Sequence, residues 1–242
     1  MTIAGFFAAG IDFQLPHPPL DDSVLLVTHF AVCRALSLLR DSPPESFTLG
    51  TAHEDDITRQ LHWVLENRLR QTGEVPGFDE RVFRKVWRAP EVTNFDGKHP
   101  AKKPDLVFDL AREQSLVLSS LDALFVECKP VGKLHAIGKH YCDKGASRFI
   151  DGDYGWAMQE GMMLAYVRHG NTLSASLGPV LACHPQHAQL GQPSPLAMVP
   201  NSRALPFAEA LHVTTHKRNF LWPGGKGIAE PIRIFHSWHD CS

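Results

Sequence analysis

Cysteine is scarce in this 242-residue chain, and the five that occur (Cys33, Cys128, Cys142, Cys183 and Cys241) are odd in number and irregularly spaced. Such a set does not read as a disulfide framework, so reduced thiols in a cytoplasmic, reducing compartment are expected. No apolar run stands out as long enough to span a bilayer, which leaves membrane out of the expected partners. The apolar opening MTIAGFFAAG lacks a positively charged start, so a signal peptide is not expected. Internal repeats and low-complexity tracts are absent, which excludes repeat arrays. A glycine-rich phosphate loop and a Ser/His/Asp signature are also missing; Gly224-Gly225-Lys226-Gly227 has no P-loop spacing and reads as a turn. Nor is there an excess of charge of one sign. The formal net charge is −2, which by itself points to no polyanionic partner. The distribution is uneven, however: residues 84–148 carry twelve Lys and Arg against eight Asp and Glu. A local basic region is enough to touch phosphates.

What is present reads as one domain over residues 1–242. Ser23 to Leu39 is apolar nearly all round and predicts a helix. Glu54 to Arg70 predicts an amphipathic helix, with Ile57, Leu61, Val64, Leu65 and Leu69 at helical spacing. Arg81 to Arg88 alternates in part and reads as a strand. Pro104 to Leu110 and Leu121 to Val131 are apolar runs of the kind found in a buried sheet, with a loose connection across 111–120. Residues 134–150 are mixed, irregular or helical. Tyr154 to Arg168 predicts a helix, and Pro179 to Cys183, Leu211 to Thr215 and Ile232 to Trp238 predict short strands. The order implies an α/β fold with a central mixed β-sheet flanked by helices.

Chemistry is concentrated at Pro104-Asp105 and, 22 residues on, Glu127-Cys128-Lys129. Alternate side chains of a strand share a face, so Glu127 and Lys129 point one way and Cys128 the other, into the core. Two charged groups on an apolar strand are costly to bury without partners, water or a metal. If the two strands pair antiparallel, the start of one lies near the end of the other, and Asp105, Glu127 and Lys129 converge. Two carboxylates and an amine at a strand end suit phosphodiester hydrolysis: hard oxygens hold Mg²⁺, and the lysine orients or deprotonates a water or stabilises transition-state charge. A surface ion pair between Glu127 and Lys129 is the bland alternative.

In residue type, order and strand context, this pattern resembles the PD-(D/E)XK nuclease superfamily, which has the restriction-endonuclease-like fold. The resemblance covers about residues 54–168 as the core. It implies an αβββαβ core, a Mg²⁺ or Mn²⁺ cofactor, and cleavage of DNA or less often RNA. It further implies Asp105 and Glu127 as metal ligands, the backbone carbonyl of Cys128 as another, and Lys129 as the catalytic lysine. Many members add a glutamate from the first core helix, for which Glu54 is the candidate, since it shares the stripe of Ile57 and Leu61. Thr51 with Glu54 also fits a capping box, which needs no metal, and both readings stay open. Some members place a Gln and a Tyr on the helix after the sheet; Gln159 and Tyr166 match that spacing poorly, and a buried Met-rich face is the simpler reading.

Lys102 and Lys103, clustered with Lys98 before the site strand, and Lys133 after it are candidate contacts to a nucleic-acid backbone. The 14 histidines raise the question of zinc, but His135, His140 and Cys142, like His236, His239 and Cys241, lack the paired spacing of structural zinc sites. His212, Thr214 and His216 would share one face of a strand, as substrate contacts or as a polar, solvent-facing edge. With no DNA-reading module in view, specificity would come from loops, a homo-oligomer or a partner protein, in restriction, anti-phage defence or repair. A catalytically inactive nuclease fold serving as a binding or assembly subunit is the competing class of function. An RNA-cleaving nuclease is the third reading, decided by contact with the 2′-OH.

Overall fold

The half-charged segment Phe83–Arg88 (β1) and the apolar runs at Leu106–Leu110 (β2) and Ala123–Val131 (β3) form an antiparallel meander in the computed structural model, which describes residues 14–112, 118–183 and 185–242. Leu106 pairs with Val126 and Val107 with Phe125, so the start of β2 lies beside the end of β3. The next strand, Glu160–Val167 (β4), runs parallel to β3, with Lys129 opposite Ala165. Beyond it lie Ile232–Asp240 (β7), parallel to β4, then His212–His216 (β6) and Ala197–Met198 (β5), both antiparallel to their neighbours. The result is one seven-stranded mixed sheet in the order β1-β2-β3-β4-β7-β6-β5.

Helices cover both faces. Asp22–Asp41 (α1) is capped by Asp21, whose carboxylate accepts from the Ser23 amide at 2.7 Å. The second helix (α2) starts at Glu54–Val64, widens into a π-helical turn at Leu65–Leu69, and closes through Arg70–Thr72 on Gly73, whose φ of 68° suits glycine. Both pack on the face carrying Cys128 and Tyr166: His29 of α1 bonds Ser237, and Thr58 of α2 bonds the Tyr166 hydroxyl at 2.9 Å. The opposite face, carrying Glu127, Lys129 and Met163, is covered by a π-helical segment, Ile137–Ala146, that continues as Ser147–Ile150 (together α3). Its Tyr141 bonds His236 on β7 at 2.9 Å. By length and composition α1 is also apolar enough to cross a membrane, at a mean hydropathy of 1.5, contrary to the expectation that no run is long enough. Here it buries Leu25, Ala31, Val32, Ala35 and Leu36 against the protein core.

Several expectations need correction. Residues 154–168 do not form a helix: 160–167 are β4, in the middle of the sheet. All eight residues are buried, so the run is apolar on every side and carries neither period 2 nor period 3.6. The connecting helix is α3, in the stretch read as mixed. Pro179 to Cys183 is not a strand: Gly178–Ala182 is helical, continuing a helical turn at Leu173–Leu177 whose start is capped by Thr172, which accepts from the Ala175 amide at 3.3 Å. The Thr51–Glu54 capping box does not form. His53 is the cap residue, with no side-chain bond, and three acidic residues in the first turn answer the helix dipole instead. Part of the 111–120 connection, residues 113–117, and the opening MTIAGFFAAG lie outside the described residues.

Candidate active site

The antiparallel pairing of β2 with β3 sets the site. Asp105 immediately precedes β2, and its Oδ2 accepts from the Cys128 amide at 2.7 Å. That bond ties the Asp105 carboxylate to the strand bearing the other two motif residues. Glu127 and Lys129 share the α3 face, while the Cys128 thiol is buried on the other face against Tyr166. Glu54, at the N-terminus of α2, reaches the same point from the opposite layer.

All of these groups meet at one atom. Lys129 Nζ lies 2.7 Å from Glu127 Oε1, 3.0 Å from Glu54 Oε1 and 3.6 Å from Asp105 Oδ2. It also donates to the Cys128 carbonyl at 2.6 Å. An ammonium has three hydrogens, and the three shortest contacts use them. The pairing is not the exposed surface ion pair weighed from the sequence, because Glu127 and Lys129 are only 3% and 12% exposed in their side chains.

Two further residues hold Glu127, and neither stood out in the sequence. The Tyr154 hydroxyl donates to Glu127 Oε2, and Arg148 Nε lies 3.4 Å from Oε1. Tyr154 is itself locked, edge-on to Phe149 at 5.2 Å and stacked on Phe125 at 6.4 Å. It sits in a turn between Gly152 and Gly155, both at positive φ, and no local periodicity marks such a residue. Arg148 belongs to the basic 84–148 region, the one sequence signal that included it.

Electrostatics follow from burial and crowding. Burial pushes the Glu127 carboxyl up to about 7, Asp105 adds to the rise, and Lys129 and Tyr154 pull against it. Burial likewise raises Glu54, with Lys129 opposing. Burial alone would lower the Lys129 amine, but Glu127, Asp105 and Glu54 outweigh it and hold the group above its ordinary value, as an ammonium.

The donor set consists of hard oxygens: carboxylates of Asp105, Glu127 and Glu54 and the Cys128 carbonyl. Oxygen donors of this type suit Mg²⁺ or Mn²⁺ rather than a thiophilic metal. Among the described residues no group of three or more His, Cys, Asp or Glu is drawn together as a ready metal site. The geometry explains this, since the oxygens are arranged around the ammonium. The donor chemistry therefore fits a divalent cation, provided the flexible lysine stem withdraws its head.

The remaining predicted residues are more scattered. Lys102 pairs with Asp153 at 2.8 Å, next to Tyr154, and Lys103 pairs with Glu91 at 3.1 Å. Lys133 is exposed in the turn after β3. Gln159 precedes β4 and donates to the His17 carbonyl at 2.9 Å, with no part in the cluster. The face of His212, Thr214 and His216 is not a solvent-facing edge, because β6 lies between β7 and β5. Thr214 and His216 are buried in a chain of bonds: Tyr141 to His236 at 2.9 Å, His236 to Thr214 at 2.8 Å, Thr214 to His216 at 2.6 Å, and His216 to the Leu190 carbonyl at 2.7 Å. Comparison of the chain with protein-family models, curated proteins and solved structures gives no match.

Proposed function

We propose that this chain is a divalent-cation-dependent nuclease that hydrolyses phosphodiester bonds of DNA. The observation that carries the reading is the convergence of Asp105, Glu127, Glu54 and the Cys128 carbonyl within 3.6 Å of Lys129 Nζ. Support for a restriction-endonuclease-like core comes from the element order α2, β1, β2, β3, α3, β4, which is αβββαβ, with β3 and β4 parallel. Asp105, Glu127 and Glu54 would hold the cation, with the Cys128 carbonyl as a fourth oxygen. When bound, Mg²⁺ or Mn²⁺ would supply Lewis acidity toward the phosphate and lower the pKa of water. Lys129, kept protonated, orients the scissile group and balances charge developing on its oxygens. Tyr154 fixes the rotamer of Glu127, and Arg148, on the rim, offers a second cation to the phosphate. Lys133 is the predicted backbone contact left exposed, while Lys102 and Lys103 would have to exchange their carboxylate partners for phosphates.

The test is incubation of plasmid, linear DNA and RNA with and without Mn²⁺, alongside Glu127→Ala and Lys129→Ala. Cleavage by the wild type, and loss in both variants while circular dichroism stays native, is the expected result. Undiminished cleavage by both variants would reject the assignment. One observation favours a second reading, an inactive nuclease fold used for binding or assembly: Lys129, Arg148 and Tyr154 already satisfy the cluster without a cation. Calorimetry with Mn²⁺ separates the two, since a silent ion cluster takes up no metal at Asp105 and Glu127.

A further inference from the structure

A cleft of about 720 Å³ opens over β1, β2 and β3 on the face of the sheet that carries Glu127 and Lys129. Its volume falls within the roughly 300–1,000 Å³ of small-ligand sites. Val107 and Phe125 line its floor and pair across the two strands. They are the next residues on this face after Asp105 and Glu127, one same-face step of roughly 7 Å along each strand. The cleft therefore begins one same-face step from the candidate catalytic cluster, none of whose residues lines it. Trp87, opposite Val107 in the register, forms its outer wall and is 44% exposed, and Trp156 lies at its back. Two cations stand at the outer end: Lys85 Nζ sits 4.0 Å from the Trp87 ring centroid, and Arg84 is held by Asp109 at 2.6 Å.

An exposed indole on a sheet face, with cations beside it, is the chemistry of a base-stacking platform. A duplex keeps its bases stacked on one another and presents only their edges in the grooves, so such a platform serves unpaired bases. We propose that this cleft seats unpaired bases of the DNA strand whose phosphate lies at Asp105, Glu127 and Lys129, with Trp87 as the stacking residue and Lys85 and Arg84 facing the backbone. Single-stranded or frayed DNA is then the preferred substrate, with little dependence on base sequence, because every base has a π face. The inference rests on the nuclease reading, yet its test is binding without any cation, so the two fail separately.

The experiment measures binding of fluorescein-labelled oligothymidylate by anisotropy, in EDTA, for the full chain and for Trp87→Ala, Trp87→Phe and Trp63→Ala. Trp63, on α2, is 59% exposed and serves as the control for a lost surface indole. Binding roughly tenfold weaker in Trp87→Ala is expected, with Trp87→Phe close to the wild type, Trp63→Ala unchanged, and blunt duplex bound less tightly than the single strand. Equal affinity of Trp87→Ala and the wild type, an equal loss in Trp63→Ala, or duplex binding as tight as single-strand binding would each overturn the proposal. A preference for oligouridylate over oligothymidylate would overturn the assignment to DNA.

Discussion

Replacing Lys129 with methionine keeps most of the aliphatic stem and removes the one group that touches Glu127, Glu54, Asp105 and the Cys128 carbonyl together. Three carboxylates are then left beside one another with Arg148 as their nearest cation. Glu127 suffers most, because its side chain is 3% exposed and its other oxygen is engaged by Tyr154. Removing one member of a buried pair costs about 3–5 kcal/mol. The sign with pH follows from the carboxyl. The folded-state value of Glu127 is raised, to about 7 from 4.5, so stability is present at low pH and is lost as pH rises toward the folded value. In the wild type that loss ends near pH 7, when the carboxyl is ionised against a lysine that stays charged. In Lys129→Met the counter-charge is gone, the carboxyl resists ionisation further, and stability continues to fall above pH 7. Urea denaturation from pH 5 to 9 should give curves that lie closer together at pH 5, where Glu127 is protonated but Asp105 and Glu54 still face the lysine, and separate by about 3 kcal/mol at pH 9. Curves running parallel across that range would refute the argument that Lys129 neutralises the cluster.

Two other outcomes follow from the packing. The buried histidines should make the fold acid-sensitive: burial lowers His29 and His216 to about 4 and holds His236 and His239 well below the ordinary value. Their folded values lie under the unfolded 6.5, so stability is full above pH 6.5 and falls as pH drops toward 4, by about 1.4 kcal/mol per unit for each such histidine; a melting temperature unchanged between pH 7 and 5 would contradict this. Gly161→Ala separates the strand from the helix the sequence suggests. A Cβ there meets the Phe149 ring at 2.6 Å, which should destabilise by about 1–3 kcal/mol. In a helix interior with room for a Cβ the same change would stabilise by up to about 1 kcal/mol, so a raised denaturation midpoint would contradict the Phe149 contact.

The parts of the fold legible in the sequence are those where one property changes along an otherwise uniform run. Charge appears at Glu127 and Lys129 inside an apolar strand, and alternation alone places both on one face. Glu54 extends the stripe of Ile57 and Leu61, which aims it at the sheet even though α2 packs on the opposite layer. What stayed hidden had no such contrast. β4 is buried on both sides, and its Met, Leu and Ala favour helix when read alone; the sheet overrides them. α3 is wound as a π-helix through Gly138 and Gly145, so its residues do not fall at the 3.6 period that reveals a helix. Tyr154 and Arg148 reach Glu127 only because the chain doubles back between α3 and β4, a tertiary fact with no local sign. The β6 histidines read as substrate contacts or a solvent-facing edge and the β7 pair lacks zinc spacing; neither pattern signals burial, since a neutral, hydrogen-bonded imidazole is cheap to bury and an unpaired one is not.

The observed geometry also narrows the chemistry that residue types alone leave open. A lysine beside a scissile phosphate can accept a proton from water, orient that water, or stabilise charge. Accepting a proton requires a neutral amine near working pH. Lys129 is held in the opposite state: three carboxylates and a carbonyl surround it, and their attraction exceeds the cost of burial. The two roles that use an ammonium remain. Burial raises the two carboxyls beside Lys129, Glu127 to about 7 and Glu54 above its ordinary value. Tyr154 and Arg148 hold the two oxygens of Glu127 in place where β3 supplies Glu127 and Lys129, α2 supplies Glu54, the start of β2 supplies Asp105 and α3 supplies Arg148.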